Sequence, residues 1–366
     1  MKILVILNDL DIGGAQNYTI SLMNEFVKLG HRVHLRVLSL NVPIKHRLDN
    51  NIELQVWPRK RKFDLSVLKK IRKEVKFGVY DGVITSYIVY HKIATLFLPK
   101  RPVTIYPIHS TIALNKKYSL INFALYRFKR KNEKYLTSID NQTKYLTKKN
   151  KLNSSFFSQI YNGIDTGKFS LPPEYFDRNA FLSSMGINSS NDIILMVAGF
   201  REEKRHIDAI DAFYLLQKVY KDISIVFVGD ERKTECEVLK EYSQKKKLVN
   251  AHFFTSEVAG EVRNFYWASD VFTLTSNSVE TFPISALEAM ACGLPCVLTN
   301  IGGAADFIEN GSNGILTIPE NLESIMLGWK NALKLCSKKN SLEIREKVER
   351  FYSIEESAIK YLKLIR

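Results

Sequence analysis

Residues 271–298 read VFTLTSNSVETFPISALEAMACGLPCVL. Val271–Leu274 is a short apolar run with β-type residues. After a polar loop come Pro283, an apolar-rich stretch to Ala291, then Gly293 and Pro295, and a second apolar run, Cys296–Leu298. Proline suits the first position of a helix, where its missing N–H would have no partner, and glycine suits the residue just past the end. Pro295 cannot continue the helix. The stretch therefore predicts strand, a helix of about ten residues, strand.

The same alternation runs outward in both directions. Strand candidates in the first half are Ile3–Leu7, Val33–Leu38, Gly82–Thr85, Val103–Ile108 and Phe157–Tyr161. In the second half they are Ile193–Val197, Ile225–Val228, His252–Phe254, Val271–Leu274 and Cys296–Leu298. Helical patterns such as Ala15–Leu29 and His206–Val219 lie between them. This order predicts an α/β protein with parallel sheets covered by helices on both faces. Two series predict two doubly wound domains, residues 1–168 and 169–353. Gly163–Ser190, with Pro172-Pro173 and Asn188-Ser189-Ser190-Asn191, breaks the pattern and reads as the linker. The amphipathic stretch 354–366 is expected to pack back on the first domain. Ligands of doubly wound sheets bind beyond the carboxyl ends of the strands, so a cleft between two such domains is the expected site.

Composition narrows the class. The 366 residues are 45% hydrophobic and 25% charged, as in globular proteins generally. The apolar run at the start, Ile3–Leu7, is too short for a signal peptide, and no stretch approaches the roughly 18 apolar residues of a membrane span. Cys236, Cys292, Cys296 and Cys336 form no disulfide framework and no zinc-ligand pattern. They read as small buried residues in a reducing cytosol. Charge is lopsided: residues 1–168 hold 30 Lys and Arg against 11 Asp and Glu, a net +19, while the rest is −4. Such asymmetry predicts an anionic partner for the first half. No recognised nucleic-acid-binding motif accompanies the basic half, so nucleic acid is not expected.

Three clusters sit where strands end. Asn8-Asp9-Leu10-Asp11-Ile12-Gly13-Gly14 follows the first strand and opens a helix. It is neither GxGxxG nor GxxxxGK[ST], but two glycines admit a ligand close to the backbone, and a helix N-terminus attracts an anion. Arg201-Glu202-Glu203-Lys204-Arg205-His206 gathers cations that suit a diphosphate. Glu280 precedes and Glu288 lies within the helix of the opening stretch, Glu288 about 7.5 Å beyond Pro283 along its axis. The amides of Ile284 and Ser285 could hold a diphosphate between the two carboxylates, which could accept hydrogen bonds from sugar or ribose hydroxyls.

Together these residues resemble glycosyltransferase family 4, the retaining enzymes of the two-domain GT-B fold. Glu280 and Glu288 match its pair of glutamates. EAMACGLPCV and NIGG, Gly13-Gly14, Tyr161-Asn162-Gly163-Ile164-Asp165, Val228-Gly229-Asp230 and Asp306-Phe307-Ile308 fit its elements, and Lys204 falls on its phosphate-binding lysine. The resemblance covers essentially the whole chain. It implies two Rossmann-like domains facing a central cleft, and transfer of a sugar from a nucleotide-diphosphate sugar, a UDP-sugar by preference. Glu288 would bind the ribose and Glu280 the transferred sugar. Lys204, Gly13, Gly14 and the backbone of Phe282, Ile284 and Ser285 would hold the diphosphate. His109 matches a histidine that reaches the donor sugar, and Glu257 falls in the loop that corresponds to the nucleobase pocket. No metal or cofactor is implied, because cations and amides meet the leaving group.

The sequence also departs from the family. Gly199 stands where an arginine is usual, which makes Arg201 the candidate replacement. Thr281 stands where glycine is frequent, and Pro283 lacks an N–H. Two other classes fit the same residues: a non-catalytic nucleotide-sugar-binding subunit, and an epimerase or phosphorylase. The acceptor implied is a glycan or a polyprenyl-diphosphate-linked sugar of cell-surface polysaccharide synthesis. The basic runs Arg59-Lys60-Arg61-Lys62, Lys69-Lys70-Ile71-Arg72-Lys73 and Arg127-Phe128-Lys129-Arg130-Lys131, with aromatics mixed into Tyr118–Arg130, suit an anionic membrane surface. A cytoplasmic protein, peripheral on the membrane's cytoplasmic face, is expected.

Overall fold

The computed structural model describes residues 1–11, 13–61, 63–108, 125–230, 235–255, 261–278 and 281–366, with Ser154 described by its backbone alone. Two compact units divide the chain: Met1–Asp165 with Ser353–Arg366, and Thr166–Tyr352.

The first unit is built on β1 (Lys2–Leu7), β2 (Arg32–Val37), β3 (Glu53–Val56), β4 (Gly82–Thr85), β5 (Val103–Pro107), β6 (Glu133–Thr137) and β7 (Phe157–Gln159). They form one sheet in the order β3-β2-β1-β4-β5-β6-β7, parallel throughout. The central β1, KILVIL, is buried from Ile3 to Leu7, as a parallel strand covered on both faces must be. The second unit holds β8 (Asp192–Val197), β9 (Ile223–Gly229), β10 (Ala251–Thr255), β11 (Val271–Leu274), β12 (Cys296–Thr299) and β13 (Gly314–Thr317). Their order is β10-β9-β8-β11-β12-β13, again parallel. Each sheet reverses direction of winding once, at β1/β4 and at β8/β11. Loops leaving those strands splay apart there and open a crevice at the sheet's carboxyl edge.

The last helix, Ile354–Ile365, belongs to the first unit. Its Ser353 cap accepts from the Glu356 amide at 3.2 Å. Tyr361 meets Phe26 of the helix Gly14–Lys28, with ring centroids 6.4 Å apart. Gly163 makes this return possible: a Cβ there would lie 2.3 Å from the Ser353 carbonyl oxygen. The Ile354 amide donates to Ile164 O at 2.7 Å, and the Ser357 hydroxyl to Tyr161 O at 2.9 Å. The Tyr161–Asp165 element is thus a backbone seam in which glycine is required by space.

Several expectations need correction. β3, β6 and β13 were not anticipated. Helix Ile284–Ala291 has eight residues, and Pro283 is its extended N-cap (φ −77°, ψ 92°) rather than its first residue. The linker expected over Gly163–Ser190 contains the helix Arg178–Ser184, capped by Asp177, whose carboxylate accepts from the Ala180 amide at 2.9 Å. Cys236, Cys292 and Cys296 are buried, but Cys336 is exposed. Among the described residues no helix is long and apolar enough to cross a membrane.

Candidate functional site

At the β8/β11 crevice the chain leaves β8 through Ala198-Gly199-Phe200-Arg201 and makes one 3-10 turn, Glu202–Lys204. Arg205 (φ 53°) then adopts the left-handed conformation that starts the helix His206–Gln217. A non-glycine residue in that conformation has to be held there. The Arg205 guanidinium donates twice to Asp208, at 2.9 and 2.7 Å. From beyond β11, the buried Thr275 hydroxyl donates to Arg205 O (2.9 Å) and Lys204 O (3.2 Å). The Asn277 amide donates to Glu203 O at 3.2 Å. The loops on the two sides of the crevice are therefore stitched together, and the turn carrying Lys204 is fixed beside the end of β11.

Beneath this turn lies His206, 2% exposed. Its ring packs on Phe200 and Phe227, with centroids 5.1 and 5.9 Å away. Burial lowers its pKa to about 4, against the smaller opposing effect of a hydrogen bond to the Ala198 backbone. It is a neutral prop for the loop, and in sequence it read only as the end of a cationic run.

Arg201 reaches the crevice partly exposed, its Nη2 3.5 Å from Asp230 Oδ2. Asp230 follows β9, the neighbour of β8. A Cβ on Gly199 would fall 2.3 Å from Asp230 Oδ1 and 3.3 Å from Arg201 Nε. Asp230 and Arg201 thus fill the space that any side chain at position 199 would need. Among the described residues the buried Arg201 Nε has no hydrogen-bond partner.

On the other side, helix Ile284–Ala291 begins against the end of β11 with no acidic residue in its first turn. The first amides of a helix have no intrahelical acceptor, so the half-buried Ile284 and Ser285 offer N–H groups and the positive end of the helix dipole. One turn on, Glu288 Oε2 accepts a 2.8 Å hydrogen bond from Tyr266. Tyr266 comes from the helix Val262–Ala268 and is fully buried. Burial, and next the Glu288 carboxylate, hold the phenol well above its ordinary pKa, so it is a donor at any working pH. Glu288 is an oriented carboxylate rather than a solvated helix residue, and Tyr266 is the partner the sequence did not reveal. Gly293 (φ 86°) ends the helix, and a Cβ on it would meet Leu171 at 2.7 Å. The Phe282 ring is 8% exposed and packs on Phe307, so any ligand contact at 282 would run through the backbone. His109, Glu257 and Glu280 lie outside the described residues.

The crevice of the first unit is polar. Gly13 is the extended N-cap (φ −178°) of the helix that begins at Gly14. Beside them Gln16 donates to Asp9 at 3.0 Å, and Asn8 to Asp9 at 2.5 Å. Arg59 donates to Asn8 and to the Tyr87 hydroxyl, its guanidinium 4.8 Å above the Tyr87 ring. Next to it opens a groove of about 570 Å³ lined by Asn8, Leu38, Leu40, Pro58, Arg59 and Arg61, among others. Arg59 read in sequence only as part of a basic run.

Two family models match. Residues 12–168 match the model described as Glycosyltransferase Family 4, and residues 177–351 that described as Glycosyl transferases group 1. The chain belongs to glycosyltransferase family 4. The transferase is 25% identical over 327 residues to N-acetyl-alpha-D-glucosaminyl L-malate synthase of Bacillus anthracis, covering 83% of this chain and 80% of that protein. It is 24% identical over 333 residues to alpha-monoglucosyldiacylglycerol synthase of Acholeplasma laidlawii, covering 83% and 81%. Its fold superposes on Anabaena HepE, solved in complex with UDP, with a TM-score of 0.84 at 18% identity, over 99% of each chain. The GT-B fold of this glycosyltransferase follows from its two parallel sheets and such neighbours.

Proposed function

We propose that this glycosyltransferase moves a hexose, with retention and without a metal, from a UDP-sugar to a lipid-linked or glycan acceptor of cell-surface polysaccharide. The observation that carries the donor assignment is the stitched crevice of the second unit: Lys204 and Arg201 on one side, the Ile284 and Ser285 amides and the oriented Glu288 on the other. Rupture of the bond between sugar and phosphate puts negative charge on the leaving diphosphate. Fixed cations and helix amides stabilise that charge without reorganising. In this reading Glu288 accepts from the ribose hydroxyls, Glu280 binds the transferred sugar, and His109 and the Gly13-Gly14 turn supply further donor contacts. Glu257 lies in the loop that would receive the base. The leaving phosphate itself takes the acceptor's proton, so attack comes from the face the diphosphate leaves, and configuration is kept. HepE, solved with UDP, supports the choice of nucleotide. The Acholeplasma relative, a glucosyldiacylglycerol synthase by name, supports a lipid acceptor and hence a place on the cytoplasmic face of a membrane.

A panel of nucleotide sugars screened by thermal stabilisation tests the donor. A donor at 100 times its Kd adds about 2.7 kcal/mol. Stabilisation by UDP-sugars is expected, and stabilisation only by another nucleotide's sugars would overturn the choice. The Arg201–Asp230 pair, which mutes one cation, favours a second reading as a non-catalytic donor-binding subunit; donor hydrolysis and transfer assays separate the two.

A further inference from the structure

The second unit opens on Thr166-Gly167-Lys168-Phe169-Ser170, which is neither helix nor strand. Phe169 is 7% exposed, and the carbonyl of a buried residue needs a donor. Side chains supply donors along the stretch. Arg345, from the helix Lys338–Tyr352, donates to Thr166 O (3.2 Å) and Phe169 O (3.1 Å). Arg263 donates to Lys168 O (3.1 Å) and Trp267 to Ser170 O (2.6 Å), both from the helix Val262–Ala268.

Two links tie this stretch to the Glu288 carboxylate. The first is the Arg345 guanidinium, which also donates to Ala291 O at 2.8 Å. Ala291 ends the helix that carries Glu288 one turn earlier. Its carbonyl has no donor within the helix, and a cation suits that negative end. Glu349 Oε1, 2.6 Å from Arg345 Nη2, aims the guanidinium. The second link is the Phe169 ring, which stands edge-on to Tyr266 with centroids 5.9 Å apart and planes at 77°. Tyr266 is the phenol that donates to Glu288.

We propose that Arg345 and Phe169 are positioning residues of the donor site. Arg345 fixes the end of helix Ile284–Ala291 to the opening stretch, and Phe169 backs the ring that orients Glu288. Both act through Glu288 rather than on the donor itself. One guanidinium reaching three carbonyls holds the helix end more closely than a single hydrogen bond, because its planar fork is preorganised. The inference rests on the reading of Glu288 as the donor's ribose-binding carboxylate and adds what keeps that carboxylate in place.

Titration calorimetry of UDP with single and double variants of the full chain tests it. Arg345→Ala should weaken UDP binding by roughly two- to thirty-fold. Phe169→Leu, which stays apolar but loses the ring edge, should weaken it by roughly two- to five-fold. In a Glu288→Gln background each should change affinity by less than about two-fold, because the carboxylate they position is already gone. Arg345→Lys, which keeps the charge without the fork, should recover only part of the loss. Arg350→Ala, exposed on the same helix, should bind like the wild type. Should Arg345→Ala fail to fold, Arg345→Lys and Phe169→Leu carry the same comparison. If Glu288→Gln binds UDP as the wild type does, the donor reading itself fails. If Glu288→Gln is weak, the positioning role stands or falls by the other variants. Normal binding by Arg345→Ala and Phe169→Leu, or losses as large in the Glu288→Gln background as alone, would mean that the two residues serve stability only. A loss in Arg350→Ala equal to that in Arg345→Ala would mean that helix charge alone matters; any of these results overturns the proposal.

Discussion

Arg201 is the proposed stand-in for the arginine that position 199 lacks. The Asp230 carboxylate occupies the space a Cβ at that position would take, and the Arg201 guanidinium lies beside it. A charged hydrogen bond is worth about 1.5–3 kcal/mol, so Arg201→Ala should slow transfer by roughly 10–150-fold. Arg205→Ala should do much less, because its guanidinium is spent on Asp208. Steady-state kinetics on both variants check this; near-wild-type Arg201→Ala beside a crippled Arg205→Ala would reverse the two roles. His206 yields a prediction in pH. Its folded pKa of about 4 lies below the ordinary 6.5, so the native state binds fewer protons than the unfolded chain between those values. Its contribution is complete above pH 6.5 and is lost as pH falls towards 4. His206→Gln keeps a donor for Ala198 and cannot titrate. Denaturant unfolding should therefore be flatter for this variant across that window, by up to roughly 3 kcal/mol. An unchanged slope would mean the imidazole is not the buried neutral group described.

At the scale of elements, the seam at Gly163 makes a sharp demand. Gly163→Val would drive its Cβ into the Ser353 backbone, which cannot swing aside as a side chain can. A loss of roughly 1–3 kcal/mol in unfolding free energy is expected, and a neutral result would show that the last helix does not return as described. The central strands were legible because they are continuous apolar runs, as β1 and β11 are. The three missed strands fail that test for separate reasons. β3 is an edge strand with alternate residues exposed, so ELQV reads as polar. β6, EKYLT, buries Glu133 by pairing it with Lys92 at 2.7 Å, a partner 41 residues away. β13, GILT, follows a Gly-Ser-Asn turn and is only four residues long. The site divides in the same way. Lys204, Glu288 and the helix start stood out in sequence as candidates, whereas Tyr266, Asp230 and Thr275 act through contacts across the sheet that no local pattern announces.

At the scale of the molecule, two parallel sheets each offer a crevice where their winding reverses, and the chemistry differs between them. The second unit's crevice gathers Lys204, Arg201, helix amides and Glu288. The first unit's holds a polar network around Arg59. Calorimetric titration of UDP in buffer containing a chelator tests the donor site most directly. The wild type should bind UDP at one site, with affinity indifferent to the chelator. Glu288→Gln should weaken binding by roughly ten-fold or more, the range of a charged hydrogen bond. Tyr266→Phe, which removes the group that orients Glu288, should weaken it by roughly two- to ten-fold. No UDP binding, binding that requires an added divalent metal, or equal affinity in wild type and Glu288→Gln would contradict the account.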